Sequence, residues 1–431
     1  MRASFSIPAG AIQLSELNLM NPNIREKYIT RKWYEKKNAI LTACILPVFL
    51  DMFACGVLIP VLPKILVNKG INADYLGLLY AAYSIGLLIF LPIFGFLNDE
   101  YQRFRLYMNV GYIILIVSNI IFIFGGSSVF LLFLSRIIGG IGGAILWATS
   151  MSTIGSIAMD DLGYMLGTVL SWGSIGFSAG PLIGGVLFEF FGESSIFLSV
   201  MALSALGVIQ RNIVDETFLV DKKHQWIVMQ QTHIIETYKT ILINPKIVLG
   251  ILLNVANGIV MSGLEPIMPL YLESTMHITS SSLIGLIFIT LVIPNILLGG
   301  IVGKAADKHG SMPFVIIGLV ATALSFIFLS YSSEVPRIIG VPYIVVGLLL
   351  IGISNTVCMV PAFQFVGQGS NAPGKVYAVL NAAYALGMVI GPIISIPIYY
   401  LLHYKILLLV FANLVILCSV ICIMLKFLYF K

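Results

Sequence analysis

Two apolar stretches of this chain, about 208 residues apart, carry the same punctuation. Pro60-Val-Leu-Pro63 recurs as Pro266-Ile-Met-Pro269, Gly95 with Asp99 recurs as Gly303 with Asp307, and Gly180-Pro181 recurs as Gly391-Pro392. The offsets, about 206, 208 and 211 residues, are far too long for a solenoid repeat and come close to half of the 431-residue chain. Two similar membrane halves related by an axis along the bilayer normal have this signature. A transporter whose site lies between the halves is built that way.

Composition fixes the solvent. With 59% hydrophobic and only 10% charged residues, the chain has too little polar surface to cover a water-soluble globule of its length. About 20 apolar residues in helix cross roughly 30 Å of hydrocarbon, and the sequence offers twelve such runs. They fall near 39–63, 74–97, 106–124, 129–158, 163–188, 195–211, 246–270, 282–303, 313–331, 338–362, 375–398 and 404–427. The expected fold is therefore an all-α membrane protein of two six-helix halves, 39–211 and 246–431. A basic segment, 1–38, precedes them, and a polar linker, 212–245, joins them.

An even number of spans puts both ends on one side, and Lys and Arg decide which side that is. About 19 fall on the terminal side against about four on the other, so the termini and linker are expected to be cytoplasmic. The net charge of +5 is thus an orientation signal. Basic residues spread over short loops, without a stripe of stacking aromatics, do not make a nucleic-acid surface. Residues 1–38 lack the short apolar core and cleavage site of a removable signal. Cys44, Cys55, Cys358, Cys418 and Cys422 lie in predicted spans without metal-ligand spacing and read as small core hydrophobes.

Charges inside the spans demand a reason, because each costs about 2.5–3.5 kcal/mol at the bilayer centre on insertion scales. Asp51 lies near the midplane of the first span. Glu265 on the seventh and Arg136 on the fourth lie roughly 8–11 Å from the non-terminal face. They suit either a structural ion network or a site in which one carboxylate, left without a cation, takes a proton or a cationic ligand. All five histidines fall in predicted loops, so proton coupling would run through the carboxylates. Pro266 and Pro269 withdraw donors from the carbonyls of Ser262 and Glu265, which predicts a seventh helix bent and partly open beside the acid, or else an ordinary packing kink. Tyr83, Trp172 and Tyr384 lie at similar depth as candidate cavity-lining aromatics, and a cation over such a ring gains roughly 0.5–2 kcal/mol.

Along the fifth span, Gly167, Gly176, Gly180-Pro181 and Gly184-Gly185 form a groove of small residues with a proline-fixed bend. The whole pattern resembles the antiporter signature of drug:proton antiporters in the major facilitator superfamily. Gly303-Lys-Ala-Ala-Asp307-Lys308-His-Gly310 looks like the cytoplasmic GxxxD(R/K)xG motif of that superfamily. Gly95, Asp99, Arg103 and Arg105 look like a degenerate copy. Arg136 followed by Gly140 resembles its RxxxG mark. Leu50-Asp51, Ile59-Pro60, Leu264-Glu265-Pro266 and the run Gly184 to Gly192 resemble the vesicular amine transporters in particular. The likeness implies that Asp51 and Glu265 meet the ammonium of a substrate, that the paired Gly/Asp loops latch the cytoplasmic face, and that the fifth-helix signature seals the halves. It departs where that group has a lysine on the second helix and aspartates on the tenth and eleventh. Here stand Tyr83, the neighbourhood of Asn355 and Thr356, and Asn381.

The resemblance implies a proton-coupled antiporter of an organic cation such as an amine, polyamine or lipophilic drug, working by alternating access with no cofactor beyond the proton gradient. The alternative is a symporter or uniporter for a neutral or anionic solute. No HExxH, GxSxG or phosphate-binding glycine loop argues for an enzyme. The expected surroundings are a plasma, vesicular or vacuolar membrane, and the protein is expected to act as a monomer without nucleic acid.

Overall fold

The computed structural model describes residues 37–101, 103–157, 162–214, 243–367 and 373–429. The basic segment before Lys37 and nearly all of the expected linker lie outside the described residues. The described chain is helical throughout, since a backbone in lipid must satisfy its polar groups within its own segment. Its helices are α1 (Lys37–Gly56), α2 (Leu62–Asn68), α3 (Tyr75–Tyr101), α4 (Phe104–Phe124), α5 (Val129–Ile157) and α6 (Leu162–Phe191). There follow α7 (Glu193–Ile213), α8 (Pro245–Ser274), α9 (Ser281–His309), α10 (Ser311–Ser330), α11 (Arg337–Gly367) and α12 (Pro373–Tyr429).

Eleven of these segments are long and apolar enough to cross a bilayer, and the last is two spans in one. A straight helix of 57 residues would measure about 86 Å. At His403 the backbone turns back with φ 65°, which divides α12 into an eleventh and a twelfth crossing. His309, which the sequence places in a loop, is the last residue of α9.

The first span breaks at its proline pair. α1 stops at Gly56, and residues 57–61 form turns before α2. Conversely, α8 runs unbroken through Pro266 and Pro269, in line with the packing kink the sequence allows rather than an opened helix. The difference has a physical source. Pro63 withdraws the donor that would serve the Ile59 carbonyl, and Tyr80 directs its hydroxyl to that oxygen at 3.2 Å. The residue 208 positions on is Phe288, which has no hydrogen to give.

Duplication is visible in the contacts themselves. Gly176 on α6 lies against the Phe49 carbonyl of α1, as Gly387 on α12 lies against the Val255 carbonyl of α8. Gly140 on α5 meets the Tyr83 carbonyl of α3, as Gly352 on α11 meets that of Leu291 on α9. Between the halves, Gly285 on α9 meets the Pro181 carbonyl of α6, and Gly77 on α3 meets the Pro392 carbonyl of α12. Each glycine is required because the partner backbone occupies the space of a Cβ.

Both seams between halves lie on the face away from the chain ends, hereafter the distal face. There Gly185 also abuts Ser281, Lys64 donates to the Ser281 hydroxyl at 2.9 Å, and Ser282 donates its hydroxyl to Glu189 at 2.5 Å. Toward the terminal face the same helices part. Ser171 and Trp172 on α6 are exposed, as are Asn295, Leu297 and Ile301 on α9 and Phe96 on α3. Exposed polar residues such as Asn295 in mid-span belong in water rather than acyl chains. Exposed Ser171 and Asn295 fit a cleft between the halves toward the terminal side.

The seam predicts unequal costs along one motif. A Cβ at Gly180 would lie 2.7 Å from the Gly56 Cα, whereas one at Gly167 meets nothing within 4 Å. Gly180→Val is expected to cut the yield of folded protein in size-exclusion profiles severely. Gly167→Ala should shift stability by less than about 0.5 kcal/mol. Equal tolerance of both would contradict the seam.

Candidate functional site

Asp51 projects from the last third of α1 into the interior of the first half, and its exposure is 0%. The sequence led us to expect it in the cleft. Instead it is enclosed by α3 and α5. Tyr83 of α3, itself buried, donates its hydroxyl to Asp51 Oδ1. Gly143 of α5 makes the room, since a Cβ there would lie 3.0 Å from the Asp51 Cγ and 2.5 Å from the Tyr83 hydroxyl. The other oxygen, Oδ2, is buried without a hydrogen-bond partner. A carboxylate sealed from water with a bare oxygen is costly, and a proton or a cation on that oxygen removes the cost.

Arg136 enters the same region from α5 and is 9% exposed. Its guanidinium lies 4.9 Å from the centre of the Tyr83 ring, and its Nε reaches the Leu79 carbonyl at 3.4 Å. The charge acts on both Asp51 and Glu265, yet neither carboxylate is within ion-pair distance of it. The structural network allowed by the sequence is thus loose, without direct pairs. Beside Arg136 lies a cavity of about 20 Å³, lined in part by Tyr83, Ser118, Asn119, Ser135 and Phe197. Such a space holds about one water molecule, which would solvate the guanidinium.

Glu265 stands on α8 in the second half and is partly exposed. The three charges therefore span both halves, with Asp51 and Arg136 in one and Glu265 in the other. Tyr384 and Asn381 of α12 are partly buried, and Tyr384 is within electrostatic reach of Glu265. Trp172 is 44% exposed, with its ring edge-on to Phe49 at 6.4 Å. Of the small-residue signature, Gly176, Gly180 and Gly184 lie on α1 and its following turn, and Pro181 and Gly185 on α9; Gly167 takes no part.

The terminal-face motifs are not brought together. A Cβ at Gly95 would meet nothing within 4 Å, and Arg103 is exposed just before α4. Gly303 packs within its own half, near Gln364 and Val360 of α11, while Asp307 and Lys308 are exposed. Asp99 lies on α3, and its side chain is outside the described residues. Among the described residues no hydrogen bond joins these two loops, in keeping with a cleft open on that side.

Sequence reasoning missed Gly143, Tyr80 and the distal pair Lys64 and Glu189. Only the run Gly139-Gly140-Ile-Gly142-Gly143 hinted at the first, by marking a face of α5 that another helix approaches closely.

A sequence model of the Major Facilitator Superfamily matches residues 45–392 and, again, residues 250–430. The chain belongs to the major facilitator superfamily. The human synaptic vesicular amine transporter is 27% identical over 334 residues, an alignment that covers 76% of this chain and 62% of that protein. The chain thus spans less than two thirds of the length of the vesicular amine transporters it matches. The MFS-type transporter ppzB of Metarhizium rileyi is 25% identical over 84% of this chain and 89% of its own. Among solved structures, the human organic anion transporter MFSD10 superposes with a TM-score of 0.66 at 16% identity, over 91% of this chain and all of the other. The nucleoside transporter NupG does so at 0.66 and 15% over the same shares. At such identities they establish the superfamily fold alone.

Gly143→Ala should push Tyr83 away from Asp51 at an overpacking cost of about 1–3 kcal/mol. The expected outcome is a folded, membrane-inserted protein with sharply reduced transport, measured in vesicles at equal protein content. Undiminished transport would remove the Asp51–Tyr83 pair from the mechanism.

Proposed function

We propose that this multi-pass transporter is a proton-coupled antiporter that exchanges an organic cation, such as an amine, polyamine or lipophilic drug, for protons. One observation carries the reading. Asp51 is buried at mid-membrane with no cation in ion-pair contact and with one oxygen bare. In the terminal-open arrangement a proton on that oxygen makes the buried group neutral. Exchange of that proton for a substrate ammonium is antiport.

Glu265 supports the scheme from the other half, since rocking of one half against the other changes its distance from Asp51 and Arg136. The vesicular amine transporters among the relatives point to the same solute class. The excess of Lys and Arg on the terminal side assigns that side to the cytoplasm and the distal side to a lumen or exterior. The same relatives support a vesicular membrane. The protein is taken to act as a monomer, because its seams join the two halves of a single chain.

A second reading has one observation in its favour. Arg136 has no carboxylate at ion-pair distance and so could meet an anionic solute, as MFSD10, named an organic anion transporter, does by its name. The direction of proton movement separates the two. In acid-loaded proteoliposomes, a transported cation should drive protons out, whereas an anion carried with protons would drive them in.

Asp51→Asn is the sharper test. It should abolish uptake of labelled tetraphenylphosphonium or a labelled monoamine into acid-loaded vesicles while leaving yield and size-exclusion profile intact. Wild-type uptake by that variant would exclude Asp51 from coupling.

A further inference from the structure

We propose that Glu189 and Lys64, reaching from the first half onto one short segment of the second, form a charged latch that holds the distal gate shut. The inference concerns the balance between the two access states and rests on alternating access alone, whichever solute is carried.

Residues 279–282 lead into and begin α9, where backbone N–H groups lack partners inside the helix and favour a negative charge. Glu189, near the end of α6, supplies one from the opposite half. Its Oε2 accepts from the Ser282 hydroxyl at 2.5 Å, and its Oε1 accepts from the Ser282 backbone N–H at 3.3 Å. Lys64 on α2 grips the same segment by donating to the Thr279 carbonyl and to the Ser281 hydroxyl. An acid takes the donors and a base takes the acceptors. Charge-assisted bonds of this kind are stronger than neutral ones, and all of them must break for α6 and α9 to separate.

The duplicated architecture supplies an internal comparison. The seam between α3 and α12 repeats the glycine contact of the seam between α6 and α9, but among the described residues it carries a lone acid, Asp74, within electrostatic reach of Tyr400, and no base. Offset as the surrounding motifs are, the counterparts of Glu189, Lys64 and Ser282 are Tyr400, Leu270 and Asp74. Close packing alone therefore does not call for an acid and a base at this place. The latch is an addition to one seam of two.

Other charged groups nearby are the Lys69–Glu193 pair at 2.9 Å, which stays within the first half, and His277, which precedes the segment in the loop after α8. Glu189 and His277 are both exposed, so substitution at either removes no core contact.

Spin labels at Phe190 on α6 and Leu283 on α9, both exposed, report the width of this seam. In lipid nanodiscs without substrate, double electron–electron resonance on an otherwise cysteine-free background should give a mainly short distance for the parent protein. Glu189→Gln should move population to longer distances, changing the closed-to-open ratio by on the order of tenfold. Ser282→Ala should move it part of the way, and His277→Gln should leave it unchanged. Gly185→Leu, which wedges the seam directly, serves as the positive control. If that control lengthens the distance while Glu189→Gln and Ser282→Ala leave it as in the parent, the latch is overturned. Because no solute is present, this outcome is independent of whether Asp51→Asn abolishes cation uptake.

Discussion

Close approach of backbones through missing side chains is the constraint on which everything else in this molecule depends. In lipid there is no hydrophobic gain from bringing apolar helices together, so association rests on packing and on the few polar contacts that packing permits. Gly176, Gly180 and Gly184 let α6 settle onto α1 and the turn that follows it, and Gly140 lets α5 settle onto α3. The same device opens the space in which the candidate site lies, because Gly143 is the vacancy that the Asp51 carboxyl and the Tyr83 hydroxyl fill. Structure and chemistry are thus set by one property of α5 and α6. Neither can be changed by a methyl group without disturbing the other.

The charges break the symmetry that the glycines keep. At the corresponding places of the other half, Asp51 has Asn257, Glu265 has Ile59, Arg136 has Leu348 and Tyr83 has Leu291. A duplicated scaffold supplies the hinge and the seams twice over. These titratable groups appear once each. The distal latch follows the same rule, with Glu189 and Lys64 on a single seam. Function was layered on the fold by unpaired substitutions within paired contacts.

Much of the fold was legible in the sequence because membrane physics is legible there. Twelve apolar runs, their matching Gly and Pro punctuation and the small-residue face of α6 each constrain packing directly. The site was less so. Sequence could not tell which face of its helix Asp51 presents, and the enclosed position beside Gly143 reflects a tertiary contact among three helices. Prolines stand at matching places in the first and seventh spans, and the proline rule alone treats them alike. It could not say that Tyr80 serves the open Ile59 carbonyl in one and that Phe288 offers no donor in the other. The latch escaped notice because a glutamate near a helix end reads as an interfacial charge until its partner across the seam is seen.

If a proton on Asp51 yields to a cation, binding itself must release protons. Adding tetraphenylphosphonium to purified protein in weakly buffered solution, with a pH indicator, reads that exchange without any membrane gradient. The account predicts acidification in proportion to bound cation for the parent protein and its loss in Asp51→Asn. Cation binding with no proton released, or the same release from the variant, would contradict it.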